Sequence, residues 1–160
     1  MPSLQAAPDK EPADDMTAPT PPHTDPTDPG LAYVRERGLG ALADRMGIEM
    51  TEFTRERAVA MMPVEGNTQP IGLLHGGAYV VLGETLGSMH ANFVAPEGHV
   101  GVGVDINATH TGSATSGIVT GVCTPIKLGR SVAVHEIIVS DEQGRRCSTV
   151  RITNFYKRIS

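Results

Sequence analysis

Gln69-Pro70-Ile71-Gly72-Leu73-Leu74-His75-Gly76-Gly77-Ala78-Tyr79-Val80-Val81-Leu82-Gly83-Glu84-Thr85-Leu86-Gly87-Ser88 is a loop that runs into a glycine-rich helix. Gly66, Asn67, Pro70 and Gly72 mark the loop, over 65–74. Beyond it, Ala78, Val81, Leu82, Thr85, Leu86 and Met89 recur at spacings of three and four residues. That is the stripe of a helix packed on one side, and it predicts a helix from about Gly76 to Phe93. Gly76, Gly77, Gly83 and Gly87 make this a poor helix in isolation, so tertiary packing must hold it. They also permit close approach of a sheet or a ligand.

On either side the periodicity changes. Leu31 to Met46 reads as one helix, weakened by Gly38 and Gly40 and ended by Gly47. Residues 48–64 shift to period two, with a hairpin centred on Phe53 to Arg55 and Pro63 ending the second strand. After Pro96 the pattern is strands: Val100 to Thr109, Ile118 to Thr124, Val132 to Ser140 and Cys147 to Tyr156. Asp141-Glu142-Gln143-Gly144 reads as a hairpin turn. Helices set apart from a run of consecutive strands give an α+β class, with an antiparallel sheet wrapped around one central helix.

The chemistry concentrates at the start of that helix and two turns on. The first N–H groups of a helix have no internal partner and sit at its positive end. The glycines of His75-Gly76-Gly77 leave them open, which makes a ready site for a developing oxyanion. Glu84 falls about 100° from the centre of the apolar stripe. Ser88, at i+4, can touch it. Each residue also has an ordinary reading. Glu84 alone is a solvated helix acid, His75 a capping or core-edge histidine, and Gln69 a polar loop residue.

The run 69–78, followed by Glu84 and Ser88 in register, resembles the signature of glutamate-dependent hotdog-fold acyl-CoA thioesterases. These include 4-hydroxybenzoyl-CoA and 1,4-dihydroxy-2-naphthoyl-CoA thioesterases and the enterobactin proofreading thioesterase, with the phenylacetate-pathway enzymes more distant. The resemblance extends over roughly residues 35–156 through Val104-Asp105-Ile106-Asn107-Ala108, His110, Ser113-Ala114 and Pro125-Ile126-Lys127-Leu128-Gly129-Arg130. It implies a hotdog fold and hydrolysis of an aromatic or medium-size acyl-CoA. Glu84 would act as nucleophile or general base. Gly76 or Gly77 N–H would polarise the thioester carbonyl, Gln69 and His75 would orient it, and Ser88 would position Glu84 or a water. Gly103, His110, Thr111, Gly112 and Ser113, with Lys127, Leu128, Gly129, Arg130, Ser131 and Val132, would line the coenzyme A arm. Coenzyme A enters as part of the substrate, and no separate cofactor is implied. The helix start and the glutamate of one site would come from different subunits of a homodimer, with a homotetramer as the usual assembly. One departure is Gly112, where several relatives carry an arginine. Lys127 and Arg130 remain as phosphate partners or as ordinary surface charge.

Composition narrows the alternatives. Of the 160 residues, the first 30 hold eight of the twelve prolines and six acids against one base, which accounts for the whole net charge of −5. Residues 1–30 therefore read as a disordered extension, and 31–160 as the thioesterase domain. The folded part carries no charge excess and so lacks the footprint of a nucleic-acid partner. No signal peptide or membrane span is apparent, which points to the cytoplasm and to no membrane partner. Cys123 and Cys147 then read as buried small hydrophobes. The six histidines show no metal-ligand spacing, so no metal is expected. Gly101-Val102-Gly103-Val104-Asp105 fails as a nucleotide fingerprint, and there is no Gly-x-Ser-x-Gly elbow. Two other readings stay open: a hotdog module that binds acyl-CoA without turnover, and a hotdog enoyl-CoA hydratase, whose chemistry calls for an Asp/His pair near the helix start.

Overall fold

The computed structural model describes residues 28–159. The extension expected over 1–30 therefore lies outside the described residues as far as residue 27. Asp28, Pro29 and Gly30, grouped with it by composition, instead open the first helix, α1 (Pro29–Arg37). The Asp28 carboxylate accepts the N–H of Gly30 at 2.7 Å and of Leu31 at 3.2 Å. Pro29 occupies the first turn, where a missing N–H costs nothing. Gly30 lets α1 settle on the sheet, because a Cβ there would run into the Phe53 carbonyl oxygen.

The single helix expected from Leu31 to Met46 is two. α1 stops at Gly38 (φ 70°), and α2 (Ala41–Arg45) begins after Gly40 (φ 89°). Both glycines hold backbone angles that side-chain-bearing residues rarely adopt, so the chain turns where a continuous helix would have run on. Tyr33, Phe53 and Phe93 meet beneath this segment, with ring centroids 5.2–6.1 Å apart. Three of the chain's six Phe and Tyr residues are thus spent tying α1 to a strand and to the end of the long helix.

The remaining elements are β1 (Glu49–Phe53), β2 (Ala58–Pro63), α3 (Gly76–Phe93), β3 (His99–His110), β4 (Ile118–Leu128), β5 (Val132–Ser140) and β6 (Arg146–Arg158). They form one six-stranded sheet in the order β1-β2-β4-β5-β6-β3, antiparallel throughout. β4 runs four residues beyond its expected end. A register shift between Pro125 and Lys127 absorbs the proline, which has no N–H to give the ladder.

Period two sorts the strand residues onto two faces. Ala58, Ala60 and Met62, then Val119 and Cys123, then Ala133, His135, Ile137 and Val139, then Val150, Ile152 and Asn154 point inward and are buried. α3 lies across this face with Leu82 and Leu86 fully buried against it. It sits close because two turns carry no side chain. A Cβ on Gly83 would fall 2.7 Å from Val150 Cγ1, and one on Gly87 would run into Ile152 Cγ2. On the sheet side Gly121 makes room for Leu86, whose Cδ1 would be 2.9 Å from an added Cβ. Cys123 and Cys147 are free and buried, and burial pushes the Cys123 thiol up to about 12.

Two buried histidines break this apolar face. His90 Nδ1 and His135 Nε2 lie 2.9 Å apart, and neither residue is exposed. Among the described residues their remaining ring nitrogens make no well-formed hydrogen bond, though the backbone of Thr54 and Arg55 lies beside His90. Burial lowers both, His135 to about 4 with His90 adding to the effect.

Two outcomes follow from the packing. Gly87→Ala gains helix propensity but forces Ile152 aside, for a net loss of about 1–3 kcal/mol in denaturant unfolding. For the histidine pair, the unfolded chain takes up protons first as pH falls below 6.5, while burial resists protonation of both in the folded chain and holds His135 neutral to about pH 4. Stability should thus be full above pH 6.5 and decline towards pH 4, by roughly 3 kcal/mol for His135 alone at about 1.36 kcal/mol per unit. Unfolding curves at pH 7, 5.5 and 4.5 measure the slope, which should flatten in His135→Gln.

Candidate active site

The loop before α3 is anchored from below. Asn67 donates its side-chain amide to the carbonyls of Met46 and Pro63, both at 2.9 Å, and accepts the His75 N–H on its own carbonyl at 2.9 Å. Gln69 is partly exposed on the tight turn that follows, where Gly72 N–H reaches the Gln69 carbonyl at 2.9 Å. His75 is the N-cap of α3: its Nδ1 accepts the Gly77 N–H at 2.9 Å. The capping role expected of an ordinary histidine here is therefore filled. Of the two candidate oxyanion donors, the Gly77 N–H is occupied by this cap, and the Gly76 N–H has no hydrogen bond among those described.

His110, at the end of β3, lies over the same helix start. Its Nε2 is 3.0 Å from where a Gly76 side chain would begin, and its Nδ1 is 3.0 Å from Ser148 Oγ. The Tyr79 hydroxyl fixes the following loop by accepting the Ala114 N–H at 3.3 Å. Burial, with Cys147 beside it, pushes Tyr79 up to about 12, so the phenol stays neutral. Thr111 and Gly112 both donate their N–H to the Cys147 carbonyl, at 3.0 and 3.1 Å. A Cβ on Gly112 would fall 2.7 Å from the Arg146 carbonyl oxygen. At this backbone position the chain has room only for glycine, which gives the departure at 112 a local steric cause. Ser113 is exposed on the same loop.

Glu84 and Ser88 form a second group. Ser88 Oγ donates to Glu84 Oε1 at 2.7 Å, and both residues are half-buried. Gly103 faces them, since a Cβ there would lie 3.2 Å from Glu84 Oε1. Asn92 stitches the end of α3 to the strand, exchanging hydrogen bonds with Gly101 at 3.0 and 3.2 Å. Asn154, fully buried on β6, brings its amide to 3.3 Å from Ser88 Oγ. The carboxylate borders a cleft of about 400 Å³ between α3 and the α1–α2 segment, walled by Val80, Val81, Thr85, Met89, Leu39 and Leu42.

The expected site residues thus fall into two clusters. His75, Gly76, Gly77 and the 110–113 loop gather at the helix start. Glu84, Ser88 and Gly103 gather two to three turns on. Eight helical residues separate Gly76 from Glu84, about 12 Å. Seven strand residues separate Gly103 from His110, about 23 Å. Lys127 and Leu128 end β4, and Gly129, Arg130 and Ser131 form the β4–β5 turn, closed by Gly129 N–H to the Val132 carbonyl at 2.8 Å. Val132 pairs with Phe155, which pairs with Val102, so this turn sits at the Glu84 end of β3 and away from His110.

The sequence shows Asn67 only as a loop marker and gives no role to Tyr79 or Asn154. Tyr79 carries no local signal. Asn154 carries one: it shares the period-two face of Val150 and Ile152, so a polar side chain there is directed into the core.

The pattern of the thioesterase superfamily matches residues 71–148. The chain is 46% identical over 124 residues to the proofreading thioesterase EntH of Cronobacter turicensis, spanning 77% of this chain and 90% of that protein. Among solved structures, a thioesterase from Haemophilus influenzae superposes with a TM-score of 0.72 at 38% identity, over 75% of this chain and 85% of that one. A thioesterase variant from Pseudomonas aeruginosa gives 0.77 at 34% identity, over 86% of this chain and all of the other. Sharing its sheet, its central helix and between a third and a half of its aligned residues with such proteins, the chain belongs to the thioesterase superfamily of hotdog-fold thioester hydrolases.

Proposed function

We propose that the protein hydrolyses an acyl-CoA to the free acid and coenzyme A, with Glu84 as the attacking or water-activating group. The observation that carries this reading is the Glu84 carboxylate itself. It is half-buried beside an apolar cleft, and a serine hydroxyl donates to one oxygen, while the other has no hydrogen bond among the described residues. A thioester carbonyl is electrophilic and a thiolate leaves well, so a positioned carboxylate can attack it or take a proton from an attacking water. The cleft of about 400 Å³ suits an aromatic or medium-size acyl group held against Val80, Val81 and Met89. On this reading the enzyme belongs with the glutamate-dependent members of its superfamily.

The helix start supplies the complementary half. The N–H of Gly76 is the free donor for the carbonyl oxygen, while the His75 cap and Gln69 shape the approach. One carbonyl cannot lie within about 3 Å of both this donor and the Glu84 carboxylate of the same chain when about 12 Å of helix separate them. A site shared by two copies removes the conflict. β3 suits that pairing: it is an edge strand of 12 residues, it borders Glu84 at Gly103, and it exposes Val102 and Val104. An edge of this kind is a ready partner for a second edge. Homodimers, pairing further into tetramers, are the expected assembly. The coenzyme A arm would run past His110, Thr111, Gly112 and Ser113 of one copy and the 127–132 turn of the other. No helix among the described residues is long and apolar enough to cross a membrane, and a cytoplasmic setting, where acyl-CoA is available, fits this reading.

Two measurements test this. In a thiol-release assay over a panel of aryl- and alkyl-CoAs, Glu84→Ala should lower kcat/KM by about 10²–10⁴. Equal turnover by wild type and Glu84→Ala would sink the assignment, and no turnover of any substrate would favour a binding module. In the second, Glu84→Ala is refolded together with a chain carrying Gln69→Ala and His75→Ala. If sites are shared, half the dimers are mixed and each holds one intact site, so activity recovers to about a quarter of wild type. Recovery no greater than the sum of the separate variants would rule out a shared site.

A further inference from the structure

Ser88 Oγ has two polar neighbours, Glu84 Oε1 at 2.7 Å and the Asn154 amide at 3.3 Å. A hydroxyl carries one proton, and the short contact to a carboxylate claims it. Ser88 Oγ can then only accept from Asn154, so the amide must present its NH₂ to Ser88. Amide oxygen and nitrogen are told apart by such networks and not by shape. The opposite orientation would set a lone pair against a lone pair and leave the Asn154 NH₂ buried with no partner, since the outer amide position contacts no polar group. With the NH₂ turned to Ser88, the group left over is a carbonyl oxygen, which proteins tolerate unpaired more readily than an N–H.

We propose that Asn154 is a positioning residue for Glu84, acting through Ser88 in a one-way chain of donors from amide to hydroxyl to carboxylate. This rests on the reading of Glu84 as the reacting group. Each link polarises the next, so the chain strengthens the bond that reaches Glu84. It also fixes direction. Ser88 is one helical turn beyond Glu84 and would be free to rotate its hydroxyl elsewhere; an N–H from β6 leaves its proton only the carboxylate. The anchor is rigid. Asn154 is fully buried in the interior of the sheet, paired with Gly103 on β3 and Ala133 on β5. Gly103 contributes by absence: a side chain there would crowd Glu84 Oε1 at 3.2 Å and lie 3.9 Å from the Asn154 amide. One Glu84 oxygen is thereby tied to the sheet, and the other is left for chemistry.

The full chain is assayed with the best-hydrolysed member of the acyl-CoA panel. Asn154→Leu fills the same space without a donor and should lower kcat about 10-fold to 100-fold, with KM changed by less than about twofold. In a Ser88→Ala background the same substitution should change kcat less than about twofold, because the route to Glu84 is already cut. A purely structural role predicts the same loss in both backgrounds. Asn154→Ser, smaller and still polar but too short to reach Ser88, repeats the comparison if the leucine variant does not melt as a folded protein. Wild-type kcat in a folded Leu or Ser variant overturns the role, as does an undiminished loss on top of Ser88→Ala. Glu84→Ala is measured alongside: if it is inactive while Asn154→Leu is unaffected, only the positioning role fails, whereas an active Glu84→Ala removes the functional reading beneath it.

Discussion

The close seating of α3 on the inner face of the sheet is the constraint on which the rest of the molecule depends. It rests on Gly83 and Gly87, which leave no side chain between the helix backbone and Val150 and Ile152. Because the helix is this low, Leu82 and Leu86 on the adjoining flank reach β4 and are sealed from solvent. The opposite flank, with Glu84 and Ser88, is held level with the edge strand β3. A helix raised by one methyl group would lift the carboxylate from Gly103 and the serine from Asn154. The poor intrinsic propensity of this glycine-rich segment is the cost of that geometry, and the packing of an otherwise apolar stripe offsets it.

A helix 18 residues long also sets a spacing that no side-chain adjustment can erase. On the proposed reading its positive end and its carboxylate both act on one carbonyl, yet they are built about 12 Å apart. The chain thus carries two separate groups of residues, proposed above as half-sites. Each is stabilised by its own contacts: the His75 cap and the Tyr79 hydroxyl at one end, Ser88 and Asn92 at the other. Such local completion lets both groups be preformed in one chain, as the proposed sharing of a site between two copies requires.

Much of this was legible in the sequence. The bounds of α3 are those its pattern implies: a loop with Pro70 and Gly72 precedes it, and its apolar stripe runs to Met89, one turn short of Phe93. The inward set of β5 follows strict alternation in the sequence and in the fold. The errors have particular causes. Gly38 and Gly40 were visible as weak points, but a loose apolar repeat across them suggested continuity; their positive φ angles split the helix. Gly30 looked like part of a Pro/Asp-rich leader, and only the Phe53 carbonyl pressed against it shows why a glycine stands there. In the site, the residues of a contiguous motif were readable, whereas Tyr79 acts through a partner 35 residues away and Asn67 reaches Met46, 21 residues away, besides its neighbour Pro63. Contacts of that span leave no local trace.

The inner face of β6 ties these observations together. Read at every second residue it is Ser148, Val150, Ile152, Asn154, all fully buried. The two apolar residues in the middle are the ones that receive Gly83 and Gly87. The two polar residues at the ends each reach one half-site: Ser148 holds His110 at the helix start, and Asn154 holds Ser88 beside Glu84. A buried hydroxyl or amide is costly unless it is paired, so neither position is explained by packing alone. Their placement makes sense if one strand must seat the helix and orient both ends of its chemistry. Three strand spacings of two residues span about 20 Å, close to the separation of the two clusters along β3. On the proposed reading the strand is a ruler against which both halves of the site are set. A shift of β6 by one residue would turn all four side chains outward, losing the core and both anchors together.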